Sequence, residues 1–420
     1  MIRSAAVSGV LVLAACGSSG GSSGSSSSGG GTGPITMAMV GPLTGSAASQ
    51  GIPILEGAKA ATKYINDNGG ILGRTLTLDQ VDTVGDPADA VPALNKEIPS
   101  GNPVALIGPI TLEIKALQPI FDRNHIVDGF NGGSVQYDTN TDNWLWRCNA
   151  SDSELGVAMA LEAYKKGYRN AALFVSNSSS TETLIPVIQK AFKALGGTIA
   201  GTVTVSVGQP SYLSEVQQVV NLHPDVIFTQ MEPNTGSVAV ANFQEINNLS
   251  IPFIGTDLTA GSDFVTAINT GVAHAHFISV EGSNALTSSG QTFTNVYQQV
   301  NGHPPLAASG YAYDCVVDFA LAMTKAGTSD PNVWVNDITA VSNPPGTQVG
   351  DYKQAVAMIK AGTKIDYAGA SGPMDFDKYH NVTGAWDVVQ ATGDAAGTFA
   401  TLETLQGTDI QAVINKESTG

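Results

Sequence analysis

The chain has 420 residues, a length that suits two domains of ordinary size. Hydrophobic residues make up 42%, enough for sizeable cores, while charged residues make up only 13% and the 47 glycines imply many tight turns. A formal net charge of -17 leaves no basic face to neutralise phosphates, which excludes nucleic acid as a partner and electrostatic docking on anionic lipid.

The first residues read as a targeting segment. Met1-Ile2-Arg3 supplies one positive charge, and residues 4–15 are an apolar run too short to span a bilayer. The run ends in Leu13-Ala14-Ala15-Cys16 before Gly17, which resembles the lipobox of bacterial lipoproteins. The resemblance implies a signal peptide over 1–15, cleavage before Cys16 and acylation of its thiol. Residues 17–33 are almost only Gly and Ser, so 16–34 reads as a lipidated Cys with a flexible tether. Such a protein is held at the outer face of the cytoplasmic membrane by its lipid alone. Cys148 and Cys315 remain; in an exported chain they are either a disulfide or two separate buried thiols.

Hydrophobic periodicity then alternates strand and helix. A strand over 36–40 runs into the turn GPLTG, and Ile54, Ala58, Ala61 and Ile65 share a helix face up to Asn68-Gly69-Gly70. A strand over 75–79 precedes the helix start Asp86-Pro87, whose stripe is Val91, Leu94 and Ile98. Residues 104–107, a continuous apolar run between Pro103 and Gly108, read as a strand buried on both faces. Thr111 then stands where an N-cap belongs, ahead of Ile114, Leu117 and Phe121 at helical spacing. A strand turning sharply into a helix start gathers unpaired N–H groups at the positive end of the helix dipole, so a carboxylate would be held beside Thr111. The plainer alternative is that Thr111 only caps its own helix. A strand over 125–128 follows.

The pattern restarts after Cys148. Ser151-x-x-Glu154 predicts a capping box for a helix to Lys166. Strands over 171–175, 202–207, 225–228 and 252–255 alternate with helices striped by Leu184 and Ile188, by Val216 and Val220, and by Ala239 and Phe243. The last third offers a strand over 277–280, helices over 293–300, 308–325, 335–341 and 352–359, and strands near 374–376, 386–390 and 400–405. Serial β-α blocks predict an α/β fold of two doubly wound lobes with parallel-rich sheets; the last third completes both.

Open parallel sheets bind ligands outside the carboxyl ends of their strands. The loops there are 41–50, 108–112, 129–134, 177–181, 230–234 and 255–257, and none holds a basic residue. Carboxylate capture falls to backbone N–H groups and hydroxyls, and amine capture to Asp257 or Glu232, a combination that suits a zwitterion.

The segments MVGPLTG, INDNGGILG, DPADAV, VALIGP, WRCNASDSELG, FIGTD and YAGASGPMDFD run in order along the chain. In that order they resemble the binding proteins for leucine, isoleucine and valine of branched-chain-type amino-acid importers. The resemblance implies two lobes joined by a three-crossing hinge, 35–149 with 282–368 and 150–281 with 369–406, followed by a tail over 407–420. It implies that Thr111 and Leu112, with Gly132, Gly133 and Ser134, hold the α-carboxylate, and that Asp257 holds the α-ammonium group. It further implies a monomer that delivers a small amino acid or related amide to an ABC permease, without cofactor or metal. The family's pocket tyrosines align with Gln50, Thr181 and Glu232, so this pocket is more polar than a leucine binder needs. The disulfide of some relatives has no counterpart, since Gly85 and Thr111 fill its positions. His274-x-His276 is the sole metal-like spacing, and no nucleophile elbow, P-loop or dinucleotide fingerprint is present. A sensory module reporting to a separate membrane receptor is the alternative function, and an extracellular enzyme on the same scaffold the third.

Overall fold

The computed structural model describes residues 33–45, 47–283, 288–306 and 308–417. The signal segment, Cys16 and nearly all of the Gly/Ser tether lie outside the described residues.

The chain opens with β1 (Ile35–Gly41), α1 (Ala48–Asp67), β2 (Leu76–Asp82), α2 (Pro87–Gly101), β3 (Ala105–Ile107), α3 (Thr111–Asn124), β4 (Val127–Phe130) and β5 (Leu145–Arg147). It crosses to α4 (Asp152–Lys165), β6 (Asn170–Ser176), α5 (Ser179–Ala194), β7 (Thr198–Val205), α6 (Leu213–Asn221), β8 (Val226–Gln230), α7 (Pro233–Glu245) and β9 (Phe253–Gly255). Three short helices, α8 (Asp257–Ala260), α9 (Ser262–Ile268) and α10 (Thr270–His276), lead into β10 (Phe277–Gly282). A second crossing returns through α11 (Ser288–Asn301), α12 (Ser309–Ala326), α13 (Pro331–Trp334), α14 (Ile338–Ser342), β11 (Thr347–Val349), α15 (Tyr352–Lys360) and β12 (Ile365–Tyr367). The last crossing leads to β13 (Trp386–Ala391), β14 (Phe399–Leu405) and α16 (Gly407–Glu417).

The first lobe holds a parallel sheet in the order β2-β1-β3-β4-β5. β3 is buried at all three residues, as a central parallel strand covered on both faces must be. One face packs Met37, Met39 and Ile107 against α1 and α12; the other packs Val40, Leu106 and Phe130 against α2 and α3. The second lobe holds the order β14-β13-β10-β9-β8-β6-β7, with β13 and β14 antiparallel to their neighbours. Its two faces are covered by α4, α5 and α16, and by α6, α7 and α9.

The three crossings are bonded to one another. Arg147 N donates to His380 O at 2.8 Å, and Ser283 N donates to Ala385 O at 3.0 Å. Cys148 and Cys315 are joined as a disulfide, with Cα atoms 5.6 Å apart across 167 positions of sequence. It ties the first crossing to α12, a helix buried around nearly its whole circumference. No helix of the described residues is long and apolar enough to cross a membrane.

Local chemistry corrects several expectations. No strand forms over 374–376: the Asn343 side chain accepts from Phe376 N at 3.0 Å and donates to Phe376 O at 2.7 Å, taking the bonds a neighbouring strand would make. The capping box at Ser151 is half made. Ser151 Oγ accepts from Ser153 N at 3.1 Å, but Glu154 Oε2 accepts from Gly384 N of the third crossing at 2.9 Å. The tail from 407 holds α16, whose Ile410 and Val413 enter the core of the second lobe. β5 and the three short helices before β10 had no signal long enough to read in the sequence.

Candidate functional site

β1 and β3 are adjacent although their helices lie on opposite faces, so the carboxyl ends of these strands open a crevice at a topological switch point. The turn 108–110 fills its first corner. Ile110, not Thr111, occupies the N-cap of α3, in extended conformation, and Thr111 is the first helical residue. The capping work falls to the fully buried Glu113, whose Oε2 accepts from Ile110 N at 3.1 Å and whose Oε1 accepts from the Thr83 hydroxyl. Burial holds the Glu113 carboxyl above its ordinary range. Thr111 is thereby released from its own cap, and its Oγ1 accepts from Ser134 N at 3.5 Å.

Gly132 lies flat against that hydroxyl. A Cβ there would come within 2.7 Å of Thr111 Oγ1, so only glycine lets the loop after β4 approach α3 this closely. At Gly133 a Cβ would meet Asp152 Oδ1 at 2.0 Å, so the Asp152 carboxylate packs directly on that glycine. Ser134 caps the short turn 135–137 and passes its carbonyl to Arg147 Nη2 at 3.1 Å. Thr111, Gly132, Gly133 and Ser134 therefore form one cradle, with Leu112 beside it as a 51% exposed apolar side chain.

The opposite wall comes from the second lobe. Asp257 opens α8 directly after β9. Its residue surface is exposed, while desolvation raises its carboxyl above the usual range, with partial relief from the Leu258 N–H. Glu232 opens α7 after β8; its Oε1 accepts from Ser176 Oγ at 3.2 Å, and its Oε2 is buried without a hydrogen-bond partner. Thr181 is 1% exposed, and its hydroxyl pairs with Ser178, the N-cap of α5, at 2.7 Å. Gln50 is exposed on the first turn of α1. The structure thus gathers Thr111, Gly132, Gly133 and Ser134 on one side, and places Asp257, Glu232 and Thr181 just past the carboxyl ends of strands of the second lobe and Gln50 on the first turn of the helix that follows β1.

Sequence reasoning missed Asp152. It begins α4, its N–H donates to Gly133 O at 2.7 Å, and its carboxyl lies against the Gly133 backbone. Burial first, and then the charge of Asp257, push that carboxyl up to about 7. Asp152 therefore stands between the two walls. The signal lay in the capping motif, where it was read as a helix start only. Arg147, fully buried, sets its charge against the rise of the Asp152 carboxyl; Asp138 Oδ1 accepts from its Nη1 at 2.9 Å.

Two lobes, a switch-point crevice in each and a bonded triple crossing define a hinged solute-binding protein. The chain belongs to the periplasmic binding protein family, whose sequence model matches residues 34–397. A curated relative, the Leu/Ile/Val-binding protein BraC3 of Rhizobium johnstonii, is 24% identical over 254 residues, covering 56% of this chain and 67% of that one. Among solved structures, the leucine-binding protein LivK of Thermotoga maritima superposes with a TM-score of 0.72 at 18% identity, over 89% of this chain and 99% of that one. LivJ of Streptococcus pneumoniae, a branched-chain amino-acid transporter substrate-binding protein in complex with isoleucine, gives 0.69 at 18% identity over 89% and 99%.

Proposed function

We propose that the cleft captures a zwitterionic amino acid or a related amide and that the protein delivers it to the permease of an ABC importer. The observation that carries this reading is the Thr111 and Ser134 cradle, rich in N–H and hydroxyl groups, with Asp152 against Gly133 and close enough to Asp257 to feel its charge. The α-carboxylate sits in the cradle near the N-terminus of α3, where the helix dipole favours an anion. Asp257 takes the α-ammonium group. The relatives' names support the ligand class, and the polar Glu232 and Gln50 positions argue for a side chain less apolar than leucine. Closure moves one lobe onto the ligand about the three crossings, since a ligand that touches both walls favours the closed state.

The protein works as a monomer on a lipid anchor at Cys16, at the outer face of the membrane, and performs no catalysis. Native mass spectrometry of the purified protein tests the ligand class. We expect a co-purified small molecule that contains nitrogen; one without an amine or amide would refute the Asp257 assignment. Cys16→Ser should shift the protein from the membrane fraction to the soluble fraction without unfolding it, and retention after a salt wash would refute the anchor.

A further inference from the structure

None of the cleft loops holds a basic residue, yet the fold sets one behind the cradle. Arg147 ends β5 beside Phe130, its register partner at the end of β4, and its guanidinium carbon stands 5.5 Å from the centre of that ring. Its backbone is locked to the third crossing, donating to His380 O at 2.8 Å and accepting from Val382 N at 3.3 Å. The side chain turns inward and is fully buried. Nη2 donates to Ser134 O at 3.1 Å and Nη1 to Asp138 Oδ1 at 2.9 Å, while Nε, among the described residues, is buried without a partner.

The preceding carbonyl of the loop is held from behind as well. Gly133 O accepts from Asp152 N at 2.7 Å and from Ser151 Oγ at 3.4 Å. A trans peptide points its N–H opposite to its C=O, so the N–H groups of Ser134 and Val135 turn away from these donors, and that of Ser134 reaches Thr111 Oγ1. Donors on a carbonyl polarise the N–H of the same peptide, which strengthens what that N–H offers a ligand.

An independent observation is that the guanidinium is poorly compensated. Among the described residues its one ion pair is with Asp138, whose side chain is 30% exposed and whose Oδ1 also accepts from Ser151 Oγ at 2.6 Å. Asp152 and Glu154 also feel its charge, but burial pushes each of those carboxyls up to about 7, which makes them half-neutral counter-ions. Burial pulls the guanidinium itself below its ordinary value, and Asp138 offsets that only in part. A buried cation in this position gains from an anion placed nearby.

We propose that Arg147 is the counter-charge of the ligand's carboxylate, a positioning residue that acts through the Ser134 loop by turning its N–H groups outward and setting a buried positive charge behind them. This rests on the amino-acid reading above and deepens it: the cradle selects a carboxylate over a carboxamide or any other neutral polar head.

Isothermal titration calorimetry of the purified protein against the standard L-amino acids finds the tightest binder, which is then compared with its own α-carboxamide. The parent should prefer the acid by about ten-fold or more, as one charge felt at short range in a partly buried site implies. Arg147→Gln should bring acid and amide within about three-fold of each other. Arg147→Lys, which keeps the charge but not the fork, should retain most of the preference. Asp138→Asn keeps the shape and removes the charge that competes for the guanidinium, so it should widen the gap several-fold. A guanidinium that only holds the loop in place would act on acid and amide alike. Equal losses for both in Arg147→Gln, or an unchanged gap in Asp138→Asn, would therefore overturn the proposal, and if Arg147→Gln does not fold, Asp138→Asn decides alone. Binding by the parent with no preference for the acid overturns this inference and leaves the amino-acid reading intact. If the parent binds no amino acid, that reading fails, and this inference with it.

Discussion

Asp257 and Thr111 should differ in how much they matter. Asp257→Asn keeps the shape but leaves an ammonium group without its counter-charge in a closed cleft; an amino-acid ligand should lose about 2–5 kcal/mol of affinity. Thr111→Val removes one hydroxyl, while the N–H groups of the α3 turn and the Ser134 loop remain, so the loss should be about 1–3 kcal/mol. Calorimetric titration of both variants with the co-purified molecule checks the order; a larger loss at Thr111 would reverse the roles of the two walls. At this scale the sequence was legible where chemistry is local. The placement of Asp257 just after an apolar strand and of Thr111 at the helix start after a Gly-Pro turn was readable. Asp152 was not, because its meaning comes from Gly133, which meets it only after β5 and the first crossing are in place. The release of Thr111 from capping was equally invisible, since it depends on Glu113 turning back to Ile110 N and on Thr83 from a different strand turn.

Among the elements, α12 carries the most consequence. It is buried on all sides, lies beside α1 and β3, and is bonded through Cys315 to the first crossing. The bond closes a loop of 167 residues, and chain-entropy reasoning puts its contribution at about 2–5 kcal/mol. The double variant Cys148→Ala, Cys315→Ala should lose that much unfolding free energy, read from chemical denaturation of parent and variant side by side. No loss would mean that residual structure already restricts the unfolded chain without the bond. Periodicity made the long elements readable, because an apolar stripe or a continuous buried run survives in one dimension. It failed for β5 and for α8 to α10, which are too short to show a period, and over 374–376, where a side-chain amide substitutes for a strand. The pairing of the two cysteines was likewise a distance, and distances across 167 positions are not written in spacing.

The molecule as a whole should be more stable in mild acid than in alkali. Burial holds Asp128 and Asp318 well above the ordinary carboxylate range, and both are fully buried with neither oxygen partnered. Burial also pushes Glu154 up to about 7 and Asp314 up to about 6, the latter against hydrogen bonds led by those from Ser371. These groups bind protons in the folded state that the unfolded chain releases near pH 4, so their stabilisation is full below about pH 4 and is lost as pH rises through their raised values. Glu154 alone accounts for about 3 kcal/mol between its unfolded value and about pH 7. Differential scanning calorimetry should give a higher Tm at pH 5 than at pH 8; the opposite order would show these carboxyls ionised inside the fold. Small-angle scattering should report a smaller radius of gyration with saturating ligand, and an unchanged radius would count against hinged capture.

The loop proposed to hold the carboxylate and the pivot are nearly the same place. Asp152 N, just past the first crossing, is bonded to Gly133 O within the cradle itself. The outermost strands are far from it: β2 lies four places from β5, and β7 four places from β10. At about 4.8 Å per strand, each far edge stands roughly 19 Å from the axis. The geometry is that of tweezers gripped near the joint. A shift too small to disturb the hydrogen bonds around the solute becomes a wide stroke at the tips, where Val84 after β2 and Val207 after β7 stand exposed. Whatever gauges the gap between those tips can tell a loaded protein from an empty one without touching the cargo.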